Sequence, residues 1–270
     1  MKNTTAISIE YTNVIDEYFN TAATKQLLEQ NQLLRFEQIW ALETEWFEAP
    51  NQRRNGWSGV IKQPLIDHNG NTIWVFIKRQ ENHNFKTLLH PLKGIPTFQR
   101  EYFNIKHLTD NNIPTLTTLY YNERVENGKD QAILITRSLE GYQSFQSFFA
   151  PENPEIPQRT AIMELAGQII RKLHDAHFRH NCLYAKHLFV NDDPDNIDIR
   201  LIDLEKLKWL PLLRQIRRND LSRLIRRGNP MTYEDLQIIL NSYYKAGKNL
   251  ENNAVATELN TLLDTQERYL

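Results

Sequence analysis

The chain has 270 residues, 40% of them hydrophobic and 24% charged, and its formal net charge of −1 gives no reason to expect a nucleic-acid partner. Its length allows one large domain or two modest ones, and no apolar run reaches the roughly 18 residues of a membrane span. The single cysteine, Cys182, excludes an intrachain disulfide and a cysteine-based zinc site, and an N-terminus without the apolar core of a secretory signal predicts a cytoplasmic protein.

The N-terminal half is predicted to form a helix followed by an antiparallel sheet. Apolar residues at nearly helical spacing predict an amphipathic helix over residues 12–31. Partial alternation predicts a strand over Phe36–Leu42, and a second strand is predicted at Gly56–Ile61. The polar cluster Asp67–Asn71 is a turn signal that leads into the β-branched and aromatic strand Thr72–Lys78. Strands joined by short turns indicate an antiparallel sheet.

One helix interrupts this run of strands. Phe98, Tyr102, Ile105 and Leu108 share a face, so a helix is predicted over Thr97–Leu108. Two strands follow at Leu116–Asn122 and Gln131–Thr136, joined by a turn at Glu126–Lys129. The proline-punctuated segment Pro151–Pro157 is predicted to be a linker to the second half.

The second half is mostly helical. The strongest amphipathic pattern covers Arg159–Ala176, and further helices are predicted at Trp209–Ile225, at Thr232–Ala246 and from about Asn253. Between the first two helices lies a polar loop, a short strand, a turn and a second strand, from His180 to Glu205.

This element order predicts an α+β protein with a protein-kinase-like bilobal fold. The N-terminal lobe, residues 1–136, would hold an antiparallel sheet with a leading helix and one inner helix, and the C-terminal lobe, residues 137–270, would be helical.

Three charged residues stand where phosphoryl transfer needs positioning and charge neutralisation. Lys78 ends an inner strand, where an amine can reach nucleotide phosphates, and Glu101 on the next helix is placed to hold that lysine. Asp203 ends a buried strand in the second lobe, where a carboxylate holds Mg²⁺. Thr136 ends the strand after which the cleft between the two lobes is expected, near residues 136–142, and we count it among the nucleotide-binding candidates.

A hairpin is expected to cover the phosphates of the nucleotide. Gly56 and Gly59 permit close backbone approach on either side of Trp57, although this is far from a full glycine-rich loop. We include these three residues in the predicted nucleotide-binding set.

The loop from His180 to His187 occupies the place of the catalytic loop in protein-kinase-like enzymes, with His180, Cys182 and Lys186 as catalytic candidates. His187 lies five positions after Cys182, where a second metal ligand is found; metal binding, contact with a phosphate oxygen and structural packing are equal alternatives. Asp220 is predicted to be a buried helix residue with a structural role, fastening the backbone of this loop.

Six motifs in fixed order resemble the bacterial lipopolysaccharide core kinases, which phosphorylate Kdo or heptose, and most closely their InaA branch. The motifs are Glu48–Val60, Ile77–His83, Thr97–Tyr102, His180–His187, Leu201–Lys206 and Arg218–Leu221. The resemblance, over about residues 35–245, implies ATP and Mg²⁺ as cofactors and phosphorylation of a sugar hydroxyl of the lipopolysaccharide core, or a related small polar acceptor, at the cytoplasmic face of the inner membrane.

One departure separates this chain from the heptose kinases, which carry His-Arg-Asp where it has His180, Asn181 and Cys182. A thiol is a poorer base than a carboxylate, so two hypotheses follow: an active phosphotransferase that relies on positioning, or a pseudokinase that binds nucleotide or acts as a stress-response scaffold. Cys182 is either a buried small hydrophobe or a nucleophile beside a histidine. Basic stretches at Gln52–Arg54, Arg214–Arg218 and Arg223–Arg227 are either solvated faces or contacts for anionic lipid.

Overall fold

The computed structural model describes residues 17–53, 56–86, 90–150, 158–226 and 230–245, with positions 257, 260, 261, 263 and 264 beyond them. Two compact units divide the chain. The N-terminal unit comprises Met1–His107 and Leu116–Glu140, and the C-terminal unit comprises Leu108–Thr115 and Gly141–Leu270. The predicted linker at Pro151–Pro157 lies outside the described residues.

The N-terminal unit is built on an antiparallel sheet of six strands in the order β1-β7-β8-β4-β3-β2. Its elements are β1 (Tyr18–Phe19), α1 (Ala22–Gln30), α2 (Phe36–Trp40), β2 (Glu48–Arg53), β3 (Gly56–Ile66), β4 (Thr72–Glu81), β5 (Asn84–Phe85), β6 (Ile95–Pro96), α3 (Thr97–Asp110), β7 (Thr118–Glu126) and β8 (Lys129–Arg137). The last residues of α3, from Leu108, belong to the C-terminal unit.

Alternation along β4 decides which side chains this sheet buries on each face. Val75 and Ile77 join a core that includes α1 and α2, through residues such as Leu28 and Ile39. Lys78 lies between Ile77 and Arg79, so its side chain leaves the sheet on the opposite face, because successive residues of a strand point to opposite sides.

Several sequence predictions in this unit are confirmed. The strand over Thr72–Lys78 lies within β4, and the helix over Thr97–Leu108 lies within α3. The turn between β7 and β8 has Asn127 and Gly128 in the left-handed region, with φ of 51° and 77°. Two such residues in succession match the right-handed twist of a tight hairpin.

Two predictions near the N-terminus were wrong. Phe36–Leu42 was predicted to be a strand, but Phe36–Trp40 is a helix, because a short apolar run fits either period. The helix predicted over residues 12–31 begins only at Ala22, since Tyr18 and Phe19 pair with Tyr121 and Tyr120 of β7. Residues 12–16 lie outside the described part of the chain.

The C-terminal unit combines two small sheets with helices. Its elements are β9 (Gln143–Ser144), α4 (Phe145–Phe148), α5 (Arg159–Asp175), β10 (Phe178–Arg179), β11 (Leu188–Asn191), β12 (Asp198–Leu201), β13 (Lys208–Trp209), α6 (Leu213–Arg226) and α7 (Tyr233–Lys245). One sheet has the order β12-β11-β9, and β10 pairs with β13. Single 3₁₀ turns occupy Ala185–His187 and Leu204–Lys206.

Helices α5 and α7 pack closely enough to require a glycine. A Cβ atom added to Gly167 would lie 2.4 Å from the carbonyl oxygen of Ile239. A capping box begins α7: the backbone N–H of Asp235 donates to Thr232 Oγ1, and Asp235 Oδ2 accepts from the backbone N–H of Thr232.

The helix predicted from Trp209 begins later, at Leu213. Trp209 instead pairs with Phe178, and Lys208 pairs with Arg179, in the small β10–β13 sheet. Pro211 also disfavours a helical conformation at the residue before it. The helix predicted from about Asn253 lies mostly outside the described residues, which are helical at positions 257, 260, 261, 263 and 264.

Candidate active site

An ion pair in the N-terminal unit joins β4 to α3. Lys78 Nζ lies 2.5 Å from Glu101 Oε1, and the side chains are 20% and 5% exposed. Lys78 is held in the middle of the sheet, opposite Val60 of β3 and Leu134 of β8. The rigid sheet and a largely buried carboxylate therefore fix the direction of this amine.

Gln80, two residues further along β4, anchors the start of α3. Its side-chain oxygen accepts from the backbone N–H of Phe98 at 2.8 Å, and its Nε2 donates to the carbonyl of His83. That carbonyl also accepts from the hydroxyl of Thr97. Because α3 carries Glu101, the fully buried Gln80 helps to fix the partner of Lys78.

Arg79 points to the other face of the sheet and holds α2. Its guanidinium donates to the carbonyls of Ile39, Trp40 and Leu42 at the end of that helix, where a cation is favoured. The same group lies 4.6 Å from the centre of the Trp46 ring. Arg79 thus connects the strand of Lys78 to the aromatic residues beside the β2–β3 hairpin.

The predicted hairpin glycines have packing reasons in this structure. A Cβ atom on Gly56 would lie 2.1 Å from the carbonyl oxygen of Glu81, and one on Gly59 would lie 2.6 Å from the Trp46 ring. Trp57 contacts the rings of Trp40 and Trp46. Close packing therefore requires both glycines, and their contact with nucleotide stays a prediction.

Thr136 lies on β8 opposite Phe76 and is only 1% exposed. Its assignment to the nucleotide-binding set likewise stays a prediction.

Hydrogen bonds of two histidines shape the loop of the C-terminal unit. His180 Nδ1 accepts from the backbone N–H of Cys182, and His180 Nε2 lies 3.0 Å from the carbonyl of Ile202. His187 Nδ1 lies 2.7 Å from the carbonyl of Cys182. The two imidazole rings are nearly parallel, with centres 6.1 Å apart. The loop is therefore fixed through the backbone of Cys182, independently of its thiol.

The thiol of Cys182 is buried and poorly suited to accept a proton. Burial, reinforced by the negative charge of Asp203, raises its pKa above the ordinary value, and the nearby Lys206 opposes this only in part. The thiol therefore stays protonated near neutral pH. Burial also lowers the pKa of His180, so its imidazole is neutral and donates to the Ile202 carbonyl through Nε2.

Asp203 adopts an unusual backbone conformation at the end of β12. Its φ of 58° and ψ of 56° place it in the left-handed region, which costs an ordinary residue about 1–2 kcal/mol. Its Oδ2 lies 3.3 Å from His187 Nε2, and the carboxylate is 37% exposed. Lys186, between Ala185 and His187, is exposed.

His187 and Asp203 face each other as two acceptors when the imidazole is neutral. Its Nδ1–H donates to the Cys182 carbonyl, so Nε2 carries a lone pair towards the carboxylate. A proton or a metal cation between them resolves this opposition.

The donor set suits Mg²⁺ brought by a nucleotide. Within the described residues no cluster of three or more His, Cys, Asp or Glu side chains could hold a metal ion alone. Mg²⁺ commonly takes only one or two protein carboxylates and completes its shell with phosphate oxygens and water. Asp203 fits that role, and the nitrogen of His187 is a softer second donor.

Asp220 of α6 anchors the backbone of the loop. Its carboxylate accepts from the backbone N–H groups of His180 and Asn181 at 2.6 and 3.0 Å. Burial alone would raise the pKa of Asp220, but His174, His180 and these hydrogen bonds outweigh it, so the pKa lies below the ordinary value. His174 also bonds the hydroxyl of Tyr243 through Nδ1.

Asn181, which the site predictions left out, takes part in the same network. Its φ is 66°, and its side-chain amide donates to the carbonyl of Lys206, which follows the Asp203 turn. Asparagine tolerates the left-handed region better than most residues, which was the available signal in the sequence. Gln80 gave a weaker signal. It lies two residues after Lys78, so the strand pattern places it on the same face of the sheet, and nothing else in the sequence marks it.

The structure has a mixed α/β fold in which an antiparallel sheet is combined with helices. It superposes on a solved structure described as WaaP in complex with acyl carrier protein, with a TM-score of 0.62 and 17% identity over 94% of this chain and 99% of that one. At this identity the likeness supports the fold alone, which is the predicted α+β fold with an antiparallel sheet and helices.

The chain belongs to the lipopolysaccharide kinase (Kdo/WaaP) family. The model of that family matches residues 37–243. The chain is also similar to Protein InaA of Escherichia coli (strain K12), with 30% identity over 220 residues that cover 77% of this chain and 95% of that protein. The predicted family resemblance is thereby confirmed.

Proposed function

We propose that the chain is an ATP-dependent phosphotransferase that phosphorylates a sugar hydroxyl of the lipopolysaccharide core. The observation that carries this proposal is the Lys78–Glu101 ion pair at 2.5 Å, in a chain of a kinase family. A lysine fixed by a carboxylate of the neighbouring helix is the arrangement that holds the phosphates of ATP in protein kinases.

The residues divide the work of binding and orientation. Lys78 would bind phosphate oxygens, with Gly56, Trp57, Gly59 and Thr136 as the remaining nucleotide contacts. Asp203 and His187 would hold Mg²⁺, which neutralises the charge that develops on the transferred group.

The loop His180–His187 of the C-terminal unit would position the acceptor. His180 would keep the loop in shape, and Lys186, which is exposed, would offer a positive charge to the acceptor or to the phosphoryl group. The protonated Cys182 leaves the reaction without a strong base at this position. A loose transition state requires little removal of the acceptor proton before the phosphoryl group transfers, so positioning supplies most of the rate.

Transfer of labelled γ-phosphate from ATP to purified core oligosaccharide tests the proposal. We expect transfer by the wild-type chain and a loss of about 10²–10³-fold in Lys78→Ala and in Asp203→Asn. Lys62→Ala, which removes an exposed lysine of the neighbouring strand β3, is the matched control. Absence of transfer by the wild type, or transfer that Lys78→Ala leaves unchanged, would refute the proposal.

A pseudokinase is the second candidate, and the raised pKa of the Cys182 thiol favours it. Such a protein would bind nucleotide through Lys78 and Asp203 and act as a sensor or scaffold. It would show a nucleotide-induced rise in melting temperature, with no phosphate transfer by the wild type or by Cys182→Asp.

We place the proposed activity in the cytoplasm, at the inner membrane, because ATP is cytoplasmic and the proposed acceptor is anchored in lipid. Among the described residues, none of the helices has the length and hydropathy needed to cross a bilayer. The proposed partners are a nucleotide and a core sugar or another small polar acceptor, with peripheral membrane contact and no nucleic acid.

A further inference from the structure

A segment of the C-terminal unit concentrates positive charge. Residues 206–226 contain seven lysines and arginines and one acidic residue, Asp220, in a chain whose formal net charge is −1. Asp220 is fully buried. The exposed residues of this segment are Lys206, Lys208, Pro211, Leu212, Arg214, Gln215, Arg218 and Arg226. Its accessible side chains are thus cationic, apolar or neutral.

The exposed cations of helix α6 lie away from its buried residues, which include the Asp220 that supports the loop of the candidate site. Ile216, Asp220 and Leu224 are buried along one side. At about 100° per residue, Arg214 and Arg218 lie about 40° apart around the helix and Arg226 lies about 80° beyond Arg218, so all three are at least about 120° away from Asp220. We call Lys208, Leu212, Arg214, Arg218 and Arg226 the basic surface.

Two of these cations stand where they weaken the fold. Lys208 lies directly opposite Arg179 in the β10–β13 pair, and like charges in that position repel. Arg214 is in the first turn of α6, where the helix dipole disfavours a cation, and that turn contains no acidic residue. Positive charge at both positions is therefore unfavourable for stability.

An apolar residue adjoins the charge. Leu212 immediately precedes α6 and is 63% exposed, next to the exposed Pro211. Cations beside an exposed apolar side chain are the combination that binds an anionic bilayer, because the cations meet the headgroups while the apolar group enters the interface.

We propose that the basic surface docks the protein on a bilayer of anionic phospholipids. The opposite side of α6 carries Asp220, which anchors the loop of the candidate site through the N–H groups of His180 and Asn181. One helix would therefore hold the loop and face the membrane in which the acceptor is anchored. This last consequence rests on the proposed function, whereas docking itself does not.

Co-sedimentation with vesicles tests the proposal without nucleotide or acceptor. We expect the full chain to bind vesicles of phosphatidylethanolamine with phosphatidylglycerol, to bind pure phosphatidylcholine weakly, and to lose binding as salt rises. The double variant Lys208→Glu, Arg214→Glu should bind at least about twentyfold more weakly, since each cation near the surface contributes about fivefold. Both changes relieve unfavourable contacts, so the variant should fold.

Two further variants distinguish binding to a bilayer from binding to other anionic partners. Lys25→Glu, Lys86→Glu makes the same charge change at exposed positions of the N-terminal unit and should leave binding unaltered. Leu212→Gln keeps the charge and should weaken vesicle binding by about tenfold, because an apolar contact is lost.

Three results would overturn the proposal. These are no binding to anionic vesicles, equal loss in the two double variants, and binding of the basic surface to purified acyl carrier protein in place of vesicles. Because nucleotide is absent, failure here would leave the proposed phosphotransfer unaffected.

Discussion

The candidate residues of the two units use their charges differently. In the N-terminal unit a lysine meets a carboxylate directly, and both side chains are fixed by the sheet and α3. In the C-terminal unit the loop keeps its shape through Asp220, His180 and His187, all of which bind its backbone. The side chain of Cys182 is not needed for that shape. Holding this loop in shape and supplying a base at position 182 are therefore separable tasks.

The largest effect on stability is expected from removal of the loop anchor. Asp220→Ala leaves two loop N–H groups without their buried acceptor and removes the carboxylate that lies 3.4 Å from His174 Nε2, and should lower the free energy of unfolding by about 3 kcal/mol or more. Thermal melting measures it, with Asp192→Ala in an exposed turn as control. A loss equal to that of the control would show that the backbone contacts do not hold the loop.

A smaller effect is expected in the N-terminal unit. Gln80→Ala removes the acceptor of the Phe98 N–H in a fully buried place, at a cost of about 1–3 kcal/mol, and loosens the helix that carries Glu101. It should also reduce the rise in melting temperature caused by ATP and Mg²⁺.

Gln63→Ala, on the same sheet but bonded only to the neighbouring Pro64 carbonyl in the structure described, is the matched control. If both variants melt alike, α3 does not depend on Gln80.

The smallest effect concerns pH and the loop. Because burial lowers the pKa of His180 in the folded state, the unfolded chain binds a proton more readily as pH falls below about 6.5. Stability contributed by neutral His180 is therefore present at higher pH and lost on acidification, by at most about 1.4 kcal/mol per pH unit. Melting temperatures measured from about pH 7.5 to about pH 5.5 should fall, and His180→Gln should flatten this dependence. An equal slope in the variant would assign the effect to other groups.

Sequence reasoning worked best where one local pattern carried the information. The aromatic and β-branched strand before Lys78 and the helical face around Glu101 place both residues correctly on β4 and α3. Order along the chain was also enough to predict the family, and with it the kinase-like fold.

Reasoning from sequence failed where contacts between residues far apart along the chain determine the local structure. The end of α2 is held by Arg79, about 40 residues away along the chain, so the alternation of Phe36–Leu42 misled. Trp209 forms a strand only because Phe178 pairs with it. The hydrogen bonds of Gln80 and Asn181 depend on turns whose geometry no short pattern specifies.

The contrast between the two units is tested most directly at position 182. We would measure transfer of labelled phosphate from ATP to core oligosaccharide by the wild type and by Cys182→Asp, with Cys182→Ala as control. A carboxylate there restores a base while the backbone bonds to His180 and His187 remain, so transfer should accelerate by about 10² or more. Cys182→Ala should match the wild type, because the protonated thiol takes no part. Transfer that is unchanged or slower in Cys182→Asp, or lost in Cys182→Ala, would contradict the proposal that Lys78 binds phosphate while position 182 lacks a base.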